Sequence, residues 1–159
     1  MPFRTSVVFN TESHLLIVTS ALTAAAQTRG DLVVSRLEAF ADPAGRVIAK
    51  ISVTVSNVCR GSHAAASFVL VTFKESDRSG SKAVYFVGSK LKALPGGESQ
   101  TLNFEPVNSG KEIAVSNYVL AEVDPYRKVA ETDELNNWRA LNPAGAPAAS
   151  QSCNGRSKR

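Results

Sequence analysis

The densest group of side chains that could hold a ligand lies in the C-terminal third of the chain. It consists of carboxylate and amide oxygens, the donors that Ca²⁺ prefers, and that ion takes about six to eight of them. The segment does not follow the EF-hand pattern, because counting from Asp124 puts Leu135 where that loop needs a bidentate Glu. A calcium site of another geometry is one hypothesis for these residues. They are Asp124, Glu131, Asp133, Glu134, Asn136 and Asn137.

A structural role for the same segment is the alternative, and it is the interpretation we favour. Asn136 and Asn137 have short amide side chains, which often satisfy backbone N–H and C=O groups in tight connections. On this interpretation they cap a loop between two strands. We therefore assign no metal, and ligand binding by the acidic segment remains a hypothesis.

The residue types give little support for catalysis. Nucleophilic catalysis needs a base beside the nucleophile, and His63 lies in a loop of small residues without a recognisable nucleophile motif. Cys59 precedes it by 4 positions, but structural zinc takes about four protein ligands and the other cysteine is far away in sequence. Carboxylates that are sequence neighbours on a hairpin seldom flank a substrate across a cleft. We predict that the protein is not an enzyme.

Trp138, the one tryptophan of the chain, directly follows the acidic segment. An exposed Trp can anchor a sugar or a protein partner, whereas a buried one fills a core. We expect Trp138 to be buried between two sheets, and we keep carbohydrate binding through it as an alternative. Tyr126 lies close to a predicted connection and is expected to be exposed.

The elements that must position these residues are β-strands. Short β-rich runs broken by turn residues follow one another from Asp31 onward, and no segment keeps a helical apolar period. In the run 47–57 the odd-numbered residues 47–55 are apolar and alternate with mostly polar ones, which predicts one buried face. The run 66–73 is apolar on both parities and is typical of a central, well-covered strand.

Further strands are predicted at 31–37, 83–87, 100–104, 114–123 and 135–141, about seven in all. Turn residues at 41–45, 76–81, 94–97 and 108–111 separate them. Leu102 and Phe104 should face inward. The predicted fold class is therefore all-β, an immunoglobulin-like or fibronectin type III-like β-sandwich over residues 31–142.

Residues 1–26 resemble an export signal. Arg4 supplies a positive charge, residues 15–22 form an apolar segment, and three alanines at 24–26 suit a cleavage site. Glu12 offsets Arg4 and departs from the usual pattern, but cleavage remains the prediction. The apolar stretch 15–26 is shorter than the roughly 20 residues that span a bilayer, so we predict no membrane span.

Residues 143–159 are predicted to be a flexible, basic tail, because they contain few large apolar side chains. Cys153 lies in this tail and Cys59 in the body of the domain, and export would place both where a disulfide persists. Cys153 is 11 positions after Asn142, a reach of roughly 36 Å when extended, so geometry permits the bond without requiring it. Two unpaired thiols are the alternative.

Composition places the chain among globular proteins, with 43% hydrophobic and 20% charged residues. The net charge of +4 raises the question of nucleic acid binding. Basic residues of the predicted domain are interleaved with acids and lack a base-stacking aromatic motif. We therefore expect no nucleic acid partner.

The residues from Asp31 onward resemble the CARDB family, the cell adhesion related domain found in bacteria. The most specific match is the segment 129–137, which reads V-x-E-x-D-E-x-N-N and follows a strand ending in Val123-Asp124-Pro125. Residues 31–34 and 94–97 add weaker matches. The resemblance spans about 31–141, and it departs from the family's habits at Cys59, in the loop after the second strand.

This resemblance implies an immunoglobulin-like sandwich on an exported protein, with adhesion or other binding as its activity. We expect a non-catalytic module that is periplasmic, at the cell surface or secreted. Its partner would be a protein or a cell-surface glycan, contacted through loops at one pole or an exposed sheet edge. A monomer, or a weak homodimer through an edge strand, is expected. No cofactor is expected, with Ca²⁺ as the alternative.

Overall fold

The computed structural model describes residues 29–76, 81–106, 110 and 112–141. Within these ranges the chain forms strands and connections and no α-helix, as short apolar runs broken by turn residues predict. The strands are β1 Leu32–Ala41, β2 Ile48–Asn57, β3 His63–Ala64, β4 Ser67–Lys74, β5 Ala83–Leu91, β6 Leu94–Pro95, β7 Ser99–Phe104, β8 Tyr118–Val123 and β9 Trp138–Leu141.

Two antiparallel sheets form a sandwich. One sheet has three strands in the order β1-β2-β7, and the other has four in the order β5-β4-β8-β9. The two-residue strands β3 and β6 pair with each other outside both sheets. In the described ranges the two main sheets thus hold seven strands, and the predicted immunoglobulin-like sandwich is confirmed.

β2 and β4 supply the centre of the core. Alternate residues of both strands point between the sheets, and β4 lies between β5 and β8 as a central strand should. Phe104 on β7 is buried and Leu102 packs against the core, so both face inward as predicted. The innermost side chains, all without exposed surface, are Ile51, Val53, Val55, Val69, Val71 and Phe73.

A β-bulge changes the alternation at the start of β2. The predicted inward set included Val47 and Ala49, but Ile48 is buried and both of those residues are only half-buried. The pairing with β1 shifts between Phe40 and Ala41, so that Ala41 opposes Ile48 and Ala49 has no opposite residue. An extra residue at a bulge reverses the face of the side chains on one side of it.

Several strand ends differ from the prediction. β1 runs on to Ala41 rather than ending at residue 37, because it stays paired with β2 up to the turn. β8 begins at Tyr118 rather than 114, since Ala114 makes only a single bridge, with Val47. β9 begins at Trp138 rather than 135, because the residues before it belong to a loop with its own hydrogen bonds.

The predicted turn between β1 and β2 is present. Asp42 Oδ1 accepts hydrogen bonds from the main-chain nitrogens of Arg46 (2.7 Å) and Val47 (3.0 Å). Gly45, with φ of 68°, donates its N–H to the carbonyl of Asp42. Aspartate and glycine therefore fulfil the roles that their positions in the sequence predict.

Some predictions concern residues outside the described ranges. These are the export signal at 1–26, the tail at 143–159, residues 77–80 of one turn and most of the turn at 108–111. In the part of the chain that the structure describes, no helix is long and apolar enough to cross a membrane.

Candidate functional site

The acidic loop, which we define as residues 124–137 between β8 and β9, lies over the start of β1. Val123 donates its N–H to the carbonyl of Asn137 (2.8 Å), which closes the base of the loop. Thr132 donates its N–H to the carbonyl of Gly30 (3.1 Å) and so fixes the loop against the chain entering β1. The sequence therefore brings together two segments about a hundred residues apart.

Glu131 is the most deeply placed carboxylate of this loop. Its side chain is 5% exposed, and Oε2 accepts a hydrogen bond from the N–H of Leu32 at 3.2 Å. Burial, which disfavours the charged form, raises the pKa of Glu131 to about 8. The nearby carboxylate of Glu134 acts in the same direction, whereas the hydrogen bond from Leu32 opposes it.

Asp31 is a member of this cluster that the sequence analysis missed. It is buried, and its Oδ1 accepts a hydrogen bond from Asn136 Nδ2 at 3.0 Å. Burial raises its pKa, and the Asn136 hydrogen bond opposes that shift. The sequence does contain a signal for this role, because Asp31 directly precedes the apolar residues that begin β1. A carboxylate at the start of a buried strand needs a hydrogen-bond partner.

The carboxylates, rather than the two asparagines, cap the backbone of the loop. Glu134 Oε1 accepts from the N–H of Glu131 (3.2 Å), and Asp133 Oδ1 accepts from the N–H of Leu135 (2.9 Å). The side chain of Asn136 donates to the Asp31 carboxylate instead of the main chain. The predicted structural role is therefore filled by different residues of the same motif.

Asp124 organises the opposite end of the loop. It is buried with φ of 48°, a left-handed conformation that aspartate tolerates better than most residues. Its Oδ1 accepts from Ser67 Oγ (2.9 Å) and its Oδ2 from the N–H of Val129 (2.8 Å). Both oxygens are thus engaged, and Asp124 serves as a scaffold of the loop.

Four buried oxygens of the acidic loop accept no hydrogen bond from the described residues. Buried acceptors are nearly always satisfied, by protein, water or an ion, so a group of four within seven residues requires an explanation. Within the described ranges, however, no set of three or more His, Cys, Asp or Glu side chains is placed to hold a metal. The atoms are Glu131 Oε1, Glu134 Oε2, Asn136 Oδ1 and Asn137 Oδ1.

Trp138 is not buried between the sheets, and that prediction was wrong. Its side chain is 49% exposed, because it pairs with Glu122 on the outer face of the four-stranded sheet. Leu141, by contrast, pairs with the buried Val119 on the inner face. Tyr126 is exposed, as expected.

Two rows of outward side chains cross the four-stranded sheet. One row joins Phe86, Thr72 and Leu120, and the next joins Leu70 to Glu122 and Trp138. Phe86 is 68% exposed, and Leu70 and Leu120 are half-buried. We name the apolar members the outer-face patch: Leu70, Phe86, Leu120 and Trp138.

The outer face of the three-stranded sheet is polar. Thr54 and Thr101 share a hydrogen bond at 2.9 Å, and Ser56 bonds to Ser99 at 2.7 Å. Lys50 lies 5.7 Å from the ring centre of Phe40 and partly covers the one exposed aromatic of that face. The two outer faces of the sandwich therefore differ in chemistry.

One cysteine of the predicted disulfide, Cys59, lies within the described residues. Cys59 is disulfide-bonded, and its Sγ lies 3.9 Å from Thr132 Oγ1 of the acidic loop. Cys153 lies outside the described residues, so the pairing of the two cysteines stays a prediction. His63 is exposed on β3 and pairs through its main chain with Pro95.

Comparisons with known proteins agree on the fold. The CARDB family model matches residues 29–141. No curated protein matches the chain. Among solved structures, a domain of a predicted cell surface protein from Methanosarcina acetivorans, determined by solution NMR, is 18% identical. It superposes with a TM-score of 0.52 and covers 82% of this chain and 100% of its own.

A β-glucosidase from Kluyveromyces marxianus is also similar, at 18% identity and a TM-score of 0.34. That alignment covers 72% of this chain and 14% of the β-glucosidase. An alignment with so low a TM-score supports no inference about activity.

Proposed function

The chain belongs to the CARDB family, and on that basis we propose that it is a non-catalytic binding module that holds a partner protein through its outer-face patch. The family is adhesion-related, but membership alone does not select a surface. The site must therefore be argued from the chemistry of the sandwich itself.

The contrast between the two outer faces carries this proposal. In a sheet with one face in water, apolar inward residues normally alternate along each strand with polar outward ones. The three-stranded sheet follows this pattern, with serines and threonines on its outer face. The four-stranded sheet instead presents Phe86 at 68% exposure and Trp138 at 49%. Large exposed apolar side chains on one sheet face favour an interaction site, and Trp is enriched among binding hot spots.

The patch suits a protein partner because it combines apolar and charged side chains. Lys74 and Lys90 lie at outward positions on β4 and β5, and Glu122 lies within the patch, between Leu70 and Trp138. Protein interfaces combine apolar anchors with polar and charged side chains. The charges would set orientation more than affinity.

An exported location completes the proposed function. The support is the family and the similarity to a domain of a cell surface protein, together with the signal-like segment 1–26 of the sequence. We place the module at the cell surface or in the space outside the inner membrane. There its role is to hold another protein by surface complementarity.

Binding of the labelled full chain to intact producing cells tests the proposed function. Phe86→Ser should weaken saturable binding by more than about tenfold, because an aromatic anchor in an interface carries about 2 kcal/mol or more. The matched control is Leu135→Ser, which also removes an exposed apolar side chain (77% exposed) but lies in the acidic loop. Equal affinity of Phe86→Ser and the unmodified chain would contradict the proposal.

A cell-surface glycan is the second candidate partner. Trp138 lines a cleft of about 220 Å³ together with polar side chains that include Glu122 and Asn137, an arrangement that suits a sugar stacked on an aromatic ring. Under this alternative, Trp138→Ala should abolish binding to purified cell-surface glycan while Phe86→Ser leaves it unchanged. If Trp138→Ala binds protein-stripped cells as tightly as the unmodified chain does, the glycan candidate is excluded.

A further inference from the structure

We infer that the acidic loop binds a calcium-like divalent cation through Glu131, Glu134, Asn136 and Asn137. The inference does not depend on the outer-face patch. It rests on unsatisfied oxygens, on a missing counter-charge and on an entry path, which are independent features of the loop.

The first feature is the chemistry of the four oxygens. Glu131 and Asn137 are 5% and 8% exposed, and each has a buried side-chain oxygen without a hydrogen-bond partner among the described residues. Glu134 and Asn136 contribute one such oxygen each. When both acids are ionised, all four atoms are acceptors, and one shared positive charge would satisfy them together.

The second feature is that the two acids of the proposed site form no ion pair with any described residue. One ion pair of the described residues joins Arg36 and Glu38, on the outer face of the three-stranded sheet. Neither Glu131 nor Glu134 forms an ion pair with a lysine or arginine within the described ranges. A buried acid without a paired cation stays protonated, as the raised pKa of Glu131 shows, and a bound cation would stabilise its ionised form.

The third feature is access from solvent. Glu134 and Asn137 line the cleft of about 220 Å³ that also contains Trp138. A cation could reach Glu134 and Asn137 through this cleft and keep water as its remaining ligands. Two carboxylates and two amide oxygens give a hard, all-oxygen donor set, which favours Ca²⁺ over metals that prefer nitrogen or sulfur.

The existing hydrogen bonds leave the second oxygen of each carboxylate for the ion. Glu131 Oε2 accepts from Leu32 and Glu134 Oε1 from the N–H of Glu131, and in both residues it is the other oxygen that lacks a partner. Asn136 is held in the same way, since its Nδ2 donates to Asp31. The backbone bonds thus fix the orientation of the proposed ligands.

Terbium luminescence tests the site in the full chain. Tb³⁺ substitutes for Ca²⁺ and emits when a nearby tryptophan is excited, and Trp138 is the one tryptophan of the chain. We expect sensitised emission after removal of metals with EDTA and addition of Tb³⁺, displaced by Ca²⁺ in the micromolar to millimolar range. Calcium should also raise the melting temperature, because it binds only the folded state.

Glu134→Gln should weaken Tb³⁺ and Ca²⁺ binding by at least about tenfold, while its amide oxygen can still accept from Glu131. Glu122→Gln is the matched control, since it removes the same charge beside Trp138 without touching the proposed ligands. Arg127→Ala should tighten binding, because Arg127 lines the same cleft and repels a cation.

Superimposable melting curves in Ca²⁺ and EDTA would overturn the inference. So would Tb³⁺ emission that Glu122→Gln removes and Glu134→Gln leaves unchanged, because that pattern indicates surface adsorption beside Trp138. Neither result would affect the outer-face patch, which is tested by Phe86→Ser.

Discussion

At the scale of single residues, the polar groups buried at one pole of the sandwich determine how the acidic loop is held. Asn57 is buried at the end of β2 and accepts hydrogen bonds from the N–H groups of Asp31 (3.1 Å) and Cys59 (3.3 Å). It also donates to the carbonyl of Leu94 (3.0 Å). One side chain thus joins β1, β6 and the loop after β2, and Glu131 continues the same network to Leu32.

Asn57→Ala should destabilise the domain by about 2–4 kcal/mol, because it leaves several buried main-chain groups without partners. Urea unfolding followed by tryptophan fluorescence measures the change. Asn103→Ala, an exposed asparagine on β7, should stay within about 0.5 kcal/mol of the unmodified chain. Equal losses in the two variants would contradict the bridging role of Asn57.

Asp42 gives a pH-dependent prediction. Hydrogen bonds from the N–H groups of Val47 and Arg46 lower its pKa below the ordinary value of 3.8. A carboxyl whose folded pKa is lowered contributes stability that is present above its unfolded pKa and is lost as the pH falls through the folded pKa.

Asp42→Ala should therefore lower the melting temperature at pH 7, and the difference should shrink as the pH falls below about 3.8. Melting curves of both proteins across this range test the prediction, with Glu98→Ala as a control acid on another turn. A difference that stays constant down to pH 2 would show that the Asp42 charge is irrelevant.

At the scale of elements, sequence alternation predicts the strands well and their ends poorly. Ile51, Val53 and Val55 are buried as their spacing predicts, because one sheet face must exclude water. The bulge at Ala49 has no clear sequence signal, since it depends on pairing with β1. The face occupied by Trp138 was also unpredictable, because it is fixed by register with β8 rather than by residue type.

The candidate site also combines features that the sequence predicts with features that only long-range contacts determine. The acidic motif 131–137 is visible in the sequence, whereas the participation of Asp31 depends on a contact about a hundred residues away. The outer-face patch had one partial signal, the run 66–73 with apolar residues on both parities. Apolar residues on both parities predict a strand covered on both faces, but one face of β4 is open and Leu70 on that face is only half-buried.

The turn at β6 gives an element-scale prediction. A Cβ atom added to Gly96 would lie 2.0 Å from the carbonyl oxygen of Cys59 and 2.9 Å from the nitrogen of Ser62. Both are main-chain atoms, so the loop after β2 would have to move. Gly96→Ala should cost about 1–3 kcal/mol or more, measured by urea unfolding, and Ala93→Ser nearby should cost little. An unchanged midpoint in Gly96→Ala would contradict this packing.

At the scale of the whole molecule, large exposed apolar side chains lie on the outer face of the four-stranded sheet, the other outer face is mainly polar, and a loop joins the two sheets at one pole. Contacts from Glu131 and Asn136 tie the β8–β9 connection of one sheet to the start of β1 in the other. Arg139 adds a second tie, from β9 to the carbonyl of Ser35. These contacts hold β9, which carries Trp138 of the outer-face patch, against β1, and a preorganised surface favours binding without rearrangement.

The predicted disulfide is tested on the intact chain. Because Cys59 is disulfide-bonded and Cys153 is the other cysteine of the sequence, we expect peptide mapping without reductant to link the two. Cys153→Ser should lower the unfolding free energy by about 2–4 kcal/mol, as loss of a long-range disulfide does. Alkylation of both thiols without reductant, or a covalent dimer, would contradict the predicted pairing.

The central claim is that the four-stranded sheet, and not the three-stranded one, meets the partner. The most direct measurement places a photo-crosslinking amino acid at position 86 or, as the matched control, at position 101, in the full chain exported by its producing cells. We predict that irradiation joins the chain to a discrete partner from position 86 and not from position 101. Crosslinks from position 101 alone, equal yields from both positions, or no crosslink from position 86 would contradict the proposed binding face.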